Sequence, residues 1–180
     1  MELTEERVKR RLAEAQGYLE LAALDTDSGF SAPELLDRAQ ERLDSLGSTT
    51  MLGTEIAYLQ GAIHRERQAF GDAIPHFRKV LEAQPGHPMA TVGLGWCLKR
   101  TGRLAESIAP YIESIQKHPK MALLHYNLAC YLSLLGRTAE ALTALEHAFK
   151  LDGDFRKLAL AESDFEPIRG LPEFQRLLIE

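Results

Sequence analysis

Gly61, Gly95 and Ala129 stand 34 residues apart, and so do Ala73, Ser107 and Ala141. Phe77, Tyr111 and Leu145 keep the same spacing, as do Leu81, Ile115 and Phe149, and Tyr58, Val92 and Tyr126. Pro85 and Pro119 follow, with Gly153 at the third position. Three units, 54–87, 88–121 and 122–155, therefore align without a gap. No other feature limits the fold as strongly. A unit this short cannot bury an apolar face alone, so neighbouring units must complete its core.

Each unit reads as two helices. The first half carries apolar residues at helical spacing, as in Leu94, Trp96, Cys97 and Leu98, or Leu124, Leu128, Tyr131 and Leu132. Gly71-Asp72, Gly102-Arg103 and Gly136-Arg137 mark the turn that follows. The second half is amphipathic: Ile74, Phe77 and Leu81; Ile108, Ile112 and Ile115; Leu142, Leu145 and Phe149. Pro85 and Pro119 stop that helix, because proline cannot continue the hydrogen-bond ladder. The small residues at 61, 95 and 129 let the two helices approach. The large residue at 77, 111 or 145 fills the groove beside that contact.

This set of small, large and proline columns resembles the tetratricopeptide repeat family over residues 54–155. The resemblance implies an all-α fold: a right-handed α-solenoid of stacked antiparallel helix pairs. Residues 5–46 read as a divergent pair within an N-terminal cap, 1–53. Val8, Leu12, Ala15, Leu19 and Ala22 form one stripe, with Gly17 near the small-residue position, and Leu35, Leu36, Ala39 and Leu43 form another. Asp25-Thr26-Asp27-Ser28-Gly29 is a turn-prone loop, Ser31 an N-cap, and Pro33 a first-turn residue. Gly47-Ser48-Thr49-Thr50 links this pair to the repeats. Residues 156–180 read as C-terminal capping helices, the whole making a single domain. Leu158 and Leu160 would continue the array, with Phe165, Ile168, Leu171, Phe174 and Leu177 closing it and Pro172 opening a last helix. Asp164-Phe165-Glu166-Pro167-Ile168-Arg169 and Leu171-Pro172-Glu173-Phe174 resemble the end-of-group segments of bacterial tetratricopeptide arrays, which implies a bacterial source.

Composition removes other classes. The 180 residues carry a net charge of −5, which argues against a nucleic-acid binder. Two cysteines, Cys97 and Cys130, exclude a disulfide framework and fit a reducing cytoplasm as small buried residues. The N-terminus Met1-Glu2-Leu3-Thr4-Glu5-Glu6 lacks the basic start and apolar stretch of a secretory signal. The longest uncharged run, between Lys120 and Arg137, is too short and too polar to span a membrane. The histidines form no metal-binding pair at helical spacing; His118 and His125 read as a loop and a helix-packing residue. Gly93-Leu94-Gly95 sits in a helix and reads as packing rather than a dinucleotide loop. No catalytic motif is present, so the expectation is a non-enzyme without metal or cofactor.

The resemblance also implies a groove lined by first helices. Its positions here are Glu55, Tyr58, Leu59, Ala62 and Arg65; Met89, Val92, Gly93, Trp96 and Lys99; and Leu123, Tyr126, Asn127, Cys130 and Ser133. Tyr58, Val92, Trp96, Tyr126 and Cys130 would give an apolar, aromatic centre, Arg65 and Lys99 a positive rim, and Asn127 a hydrogen bond to a peptide. The lysines and asparagines that clamp a C-terminal carboxylate in some family members are absent but for Asn127. The expected function is a cytoplasmic protein–protein interaction adaptor that binds a peptide or helix of a partner, as a monomer or weak homo-oligomer. A secretion-type holdase and a self-assembling scaffold are the alternatives.

Overall fold

Residues 4–24, 30–47 and 49–179 are described by a computed structural model, which divides the chain into two units, Met1–Pro85 and Gly86–Glu180. The elements of the described residues are α-helices and two short 3₁₀ turns. The expected loop at Asp25-Thr26-Asp27-Ser28-Gly29, the first residues Met1 to Leu3, and Ser48 of the link lie outside the described residues.

The first unit holds α1 (Glu5–Ala23), α2 (Ala32–Asp44), α3 (Gly53–Glu66) and α4 (Phe70–Ala83). Thr4 caps α1, its hydroxyl oxygen accepting the Arg7 N–H, while Glu5 and Glu6 place negative charge in the first turn. Ser31 caps α2: its N–H donates to the Glu34 carboxylate at 2.8 Å, and Pro33 sits in the first turn. Val8, Leu12, Ala15 and Leu19 bury one stripe of α1 against Leu35, Leu36, Ala39 and Leu43 of α2. Gly17, by contrast, faces open space and is no packing glycine.

In the first repeat, α3 and α4 meet at Gly61. A Cβ there would lie 3.1 Å from the Phe77 ring, so the missing side chain is what lets that ring in. The turn is not at Gly71-Asp72, as the sequence suggested. Both residues are inside α4, and the chain reverses at Arg67-Gln68-Ala69, with Gln68 in the left-handed region at φ 59°. The reason is register. Gln68, Gly102 and Gly136 occupy one 34-residue column, and the two glycines take φ 74° and 72°. Glutamine stands where the later repeats use glycine.

The second unit holds α5 (Pro88–Arg100), α6 (Ile108–Lys117), α7 (Ala122–Leu134), α8 (Thr138–Leu151), α9 (Phe155–Ala161) and α10 (Pro172–Ile179). A 3₁₀ turn, Leu104–Ser107, leads into α6, and another, Ser163–Phe165, follows α9. His87 Nδ1 accepts the Ala90 N–H and caps α5. Gly95 is the tightest crossing: a Cβ would meet the rings of Tyr111 and Tyr131, each at 2.7 Å. At the matching place in the third repeat, Ala129 and Leu145 are fully buried.

α7 is buried almost all round, from Leu124 through Ser133. Such a helix must be covered on every side. α8 packs along it, α5 and α6 flank it, and the 163–165 turn lies across it. Phe165, Ile168 and Phe174 complete this core. Leu158 and Leu160 do not join it. They are 57% and 58% exposed, and the inward residue of α9 is Ala159. Helical geometry explains this, because 158 and 160 flank 159 rather than sharing its face.

Candidate functional site

The residues expected to line a first-helix groove divide by unit. In the first unit Tyr58 is half-buried, its ring edge-on to Phe77 at 6.1 Å, and burial pushes its hydroxyl pKa up. Arg65 is half-buried and paired with its neighbour Glu66 at 2.6 Å. Glu55 is exposed, whereas Leu59 and Ala62 are core residues.

In the second unit, α5 presents an apolar ridge. Met89 and Trp96, two turns apart, are each 45% exposed, and Val92 lies half-buried between them. Gly93 is turned inward. Lys99 extends the ridge by one turn, its ammonium 5.8 Å from the Trp96 ring centre. The same ammonium meets both carboxylate oxygens of Asp164 at 2.5 Å. The Asp164 side chain is only 8% exposed, so this pair works in a poorly hydrated place.

The third-repeat part of the column is covered. Tyr126 is 5% exposed and Cys130 3%, and neither lines an open surface. The Tyr126 ring packs on Phe155 at 4.8 Å and edge-on to Phe165 at 5.5 Å. Its hydroxyl is buried with no hydrogen-bond partner among the described residues. Burial, and then the nearby Cys130, Glu162 and Asp164, push that hydroxyl's pKa up. Burial likewise raises the Cys130 thiol, which is free and inert. Ser133 is fully buried and its Oγ donates to the Asp164 backbone carbonyl at 2.7 Å. Leu123 and Asn127 stay half-buried, Asn127 beside Tyr111. The C-terminal segment thus occupies the face that α7 was expected to leave open. Periodicity shows which residues share a helix face, but it cannot show that a stretch outside the repeats folds back over it.

Sequence reasoning missed two features. Asp164 is the partner of Lys99, and its separation by 65 residues leaves no local signal. The other is a groove of about 470 Å³ between α6 and α8. Ile108, Ile112 and Ile115 form one wall, Ala139, Thr143 and Ala144 the other, and Leu128 and Leu132 the floor. The isoleucine stripe opposite small residues was its only trace in the sequence. His125 and His147 close one end, their rings 5.6 Å apart, and His125 Nε2 contacts the Pro119 carbonyl at 2.9 Å. Among the described residues, no group of three or more His, Cys, Asp or Glu is placed to hold a metal ion. No helix among them is long and apolar enough to cross a membrane.

Repeated antiparallel helix pairs, locked at a small-residue crossing and presenting first-helix side chains, define a protein-interaction module. Residues 58–122 match one model described as a tetratricopeptide repeat, and residues 122–155 match a second. Together they span more than half of the sequence, and the chain belongs to the tetratricopeptide repeat family. Superkiller protein 3 of Saccharomyces cerevisiae is 33% identical over 86 residues, which are 48% of this chain and 6% of that protein. The chain therefore spans only a small part of that relative. Among solved structures, MamA AMB-1 is 25% identical, with 83% of this chain and 82% of that one covered at a TM-score of 0.58. MamA MSR-1 shares the fold at 21% identity, with 84% and 98% covered and a TM-score of 0.59. The family is generally non-catalytic and binds other proteins.

Proposed function

We propose that the protein is an adaptor that binds a segment of a partner protein on its first-helix faces, with the α5 ridge as the principal contact. The observation that carries this reading is Trp96. It leaves 45% of its surface in water on a helix whose other side is core. Exposing a tryptophan is unfavourable for a free domain, and tryptophan is enriched where interfaces concentrate their energy. Met89 and Val92 extend the apolar strip, and Met adapts to irregular partners. Asn127 of the same unit supplies a further contact, and Tyr58 and Arg65 belong to a first-helix face of the other unit. The repeat boundaries at 54–87, 88–121 and 122–155 are the functional ones, with 1–53 and 156–180 as caps. Two buried cysteines outside any disulfide suit work in a reducing cytoplasm.

The test is a capture experiment from lysate of the source cells with wild type and with Trp96→Ala/Met89→Ala. Both proteins are first shown to share a helical spectrum and a cooperative melt. The adaptor reading expects at least one protein retained by wild type alone. Identical retention by both proteins would move the interaction off this ridge.

A further inference from the structure

We propose that the turn at residues 162–166 is an intramolecular occupant of the α7 first-helix face, and that a partner segment with an acidic residue followed by an aromatic one binds there in its place. The proposal deepens the first-helix reading above and rests on it.

Three contacts read the turn as a peptide is read. Lys99 Nζ takes the acid, meeting both Asp164 oxygens at 2.5 Å. Ser133 Oγ takes the backbone, donating to the Asp164 carbonyl at 2.7 Å. Tyr126 takes the aromatic: Phe165 is fully buried, edge-on to the tyrosine at 86° and backed by Phe174 at 5.6 Å. The recognising side chains all come from first helices, Lys99 from α5 and Tyr126 and Ser133 from α7. The recognised element is a 3₁₀ turn outside the repeats.

The turn also holds its own shape. Arg169 donates to the Glu162 carbonyl at 2.7 Å, reaches the Leu160 carbonyl and pairs with Glu166 at 2.8 Å. Its conformation is therefore supported from within, and α7 receives a preformed shape.

The fit is incomplete. The Tyr126 hydroxyl is buried beneath the segment without a partner among the described residues. A buried polar group left unpaired opposes the packing that covers it. A tethered occupant tolerates that cost, because its effective concentration is high. A partner segment must overcome the tether, and an acceptor aimed at Tyr126 supplies a hydrogen bond that the resident turn lacks. The partner's chemistry is then an acid for Lys99, an aromatic ring for the space between Tyr126 and Phe174, and an acceptor for the Tyr126 hydroxyl.

The probe is a fluorescein-labelled peptide with the chain's own sequence from Leu160 to Arg169, titrated into full-length protein and read by anisotropy. Hosts are wild type, Asp164→Asn/Phe165→Ala, and that variant with Lys99→Ala added. The vacated variant is expected to keep its helical spectrum and cooperative melt and to bind the peptide at least about tenfold more tightly than wild type. Adding Lys99→Ala, or replacing the peptide's aspartate by asparagine, is expected to remove the gain. Binding no tighter than wild type would overturn the proposal. Loss of helix in the vacated variant would overturn it too, because the turn would then be an obligatory part of the core. The assay uses no partner and leaves Trp96 unchanged. Its failure is therefore separate from failure of the ridge, which only the Trp96→Ala/Met89→Ala capture reports.

Discussion

Lys99, on the last turn of α5, holds both carboxylate oxygens of Asp164 at 2.5 Å and so ties the C-terminal segment to the repeats. The carboxylate is nearly dry at 8% exposure, whereas the lysine side chain keeps 26% of its surface in water. Removing the lysine strands a charge in a place that hydrates it poorly. Lys99→Ala is expected to cost about 2–3 kcal/mol, below the range for fully buried pairs because the lysine is partly solvated. Urea denaturation measures it. Lys99→Ala/Asp164→Asn should recover more than half of the loss. A double variant as unstable as the single one would show that the stranded charge is not the cause.

Gly95 and Gly61 occupy one column yet differ in tolerance. A methyl at 95 would sit 2.7 Å from two tyrosine rings, and one at 61 would sit 3.1 Å from the Phe77 ring and 3.2 Å from His76 Cβ. Gly95→Ala is expected to lose about 1–3 kcal/mol through forced ring displacement, despite alanine's better helix propensity. Gly61→Ala should lose clearly less. Thermal melts of the two variants rank them, and equal melting temperatures would contradict the packing argument.

Gln68 bears strain that the later repeats avoid. At φ 59° its Cβ crowds the backbone, whereas Gly102 and Gly136 adopt the same region freely. Gln68→Gly is expected to stabilise by about 0.5–1 kcal/mol, the relief of strain outweighing the added freedom of the unfolded chain. Gly136→Gln should destabilise by a similar amount. Chemical denaturation of both checks the sign, which must be opposite in the two variants.

His76 is expected to make the first repeat sensitive to acid. Its ring stacks on His64 at 5.2 Å. Burial holds its pKa below the ordinary 6.5, helped by the charges of His64 and Lys79 and opposed by Asp72. The unfolded chain then binds the proton more tightly than the folded one. Stability is complete above about the ordinary histidine value and falls as pH drops from there through the lowered folded value. Melts between pH 8 and pH 5 should show this decline, and His76→Gln should flatten it. A slope unchanged by the substitution would assign the decline to other groups.

The 34-residue columns were enough to place the helix crossings, because a helix pair needs a small residue at its crossing and a large one beside it. Gly61 against Phe77 and Gly95 against Tyr111 meet as that logic requires. Both prolines follow the helices they were expected to end, since a missing N–H acts locally. These features depend on residues within one repeat of each other, so linear spacing contains them. The turn of the first repeat was misread because Gln68 carries no glycine signature, and only its register with Gly102 and Gly136 marked it.

What tertiary structure alone decided lies where separate stretches of chain meet. Trp96 and Tyr126 both stand on the first helix of a helix pair, α5 and α7. One stays 45% exposed, and the other is 5% exposed because residues 155–165 fold over it. Whether a first-helix aromatic stays exposed or joins the core depends on where that later segment comes to rest. Its position follows from Lys99 with Asp164 and Ser133 with the Asp164 carbonyl, contacts 65 and 31 residues apart. Helical periodicity records which side chains share a face. It holds no information on what covers that face, because the covering contacts are made between residues that have no fixed spacing along the chain.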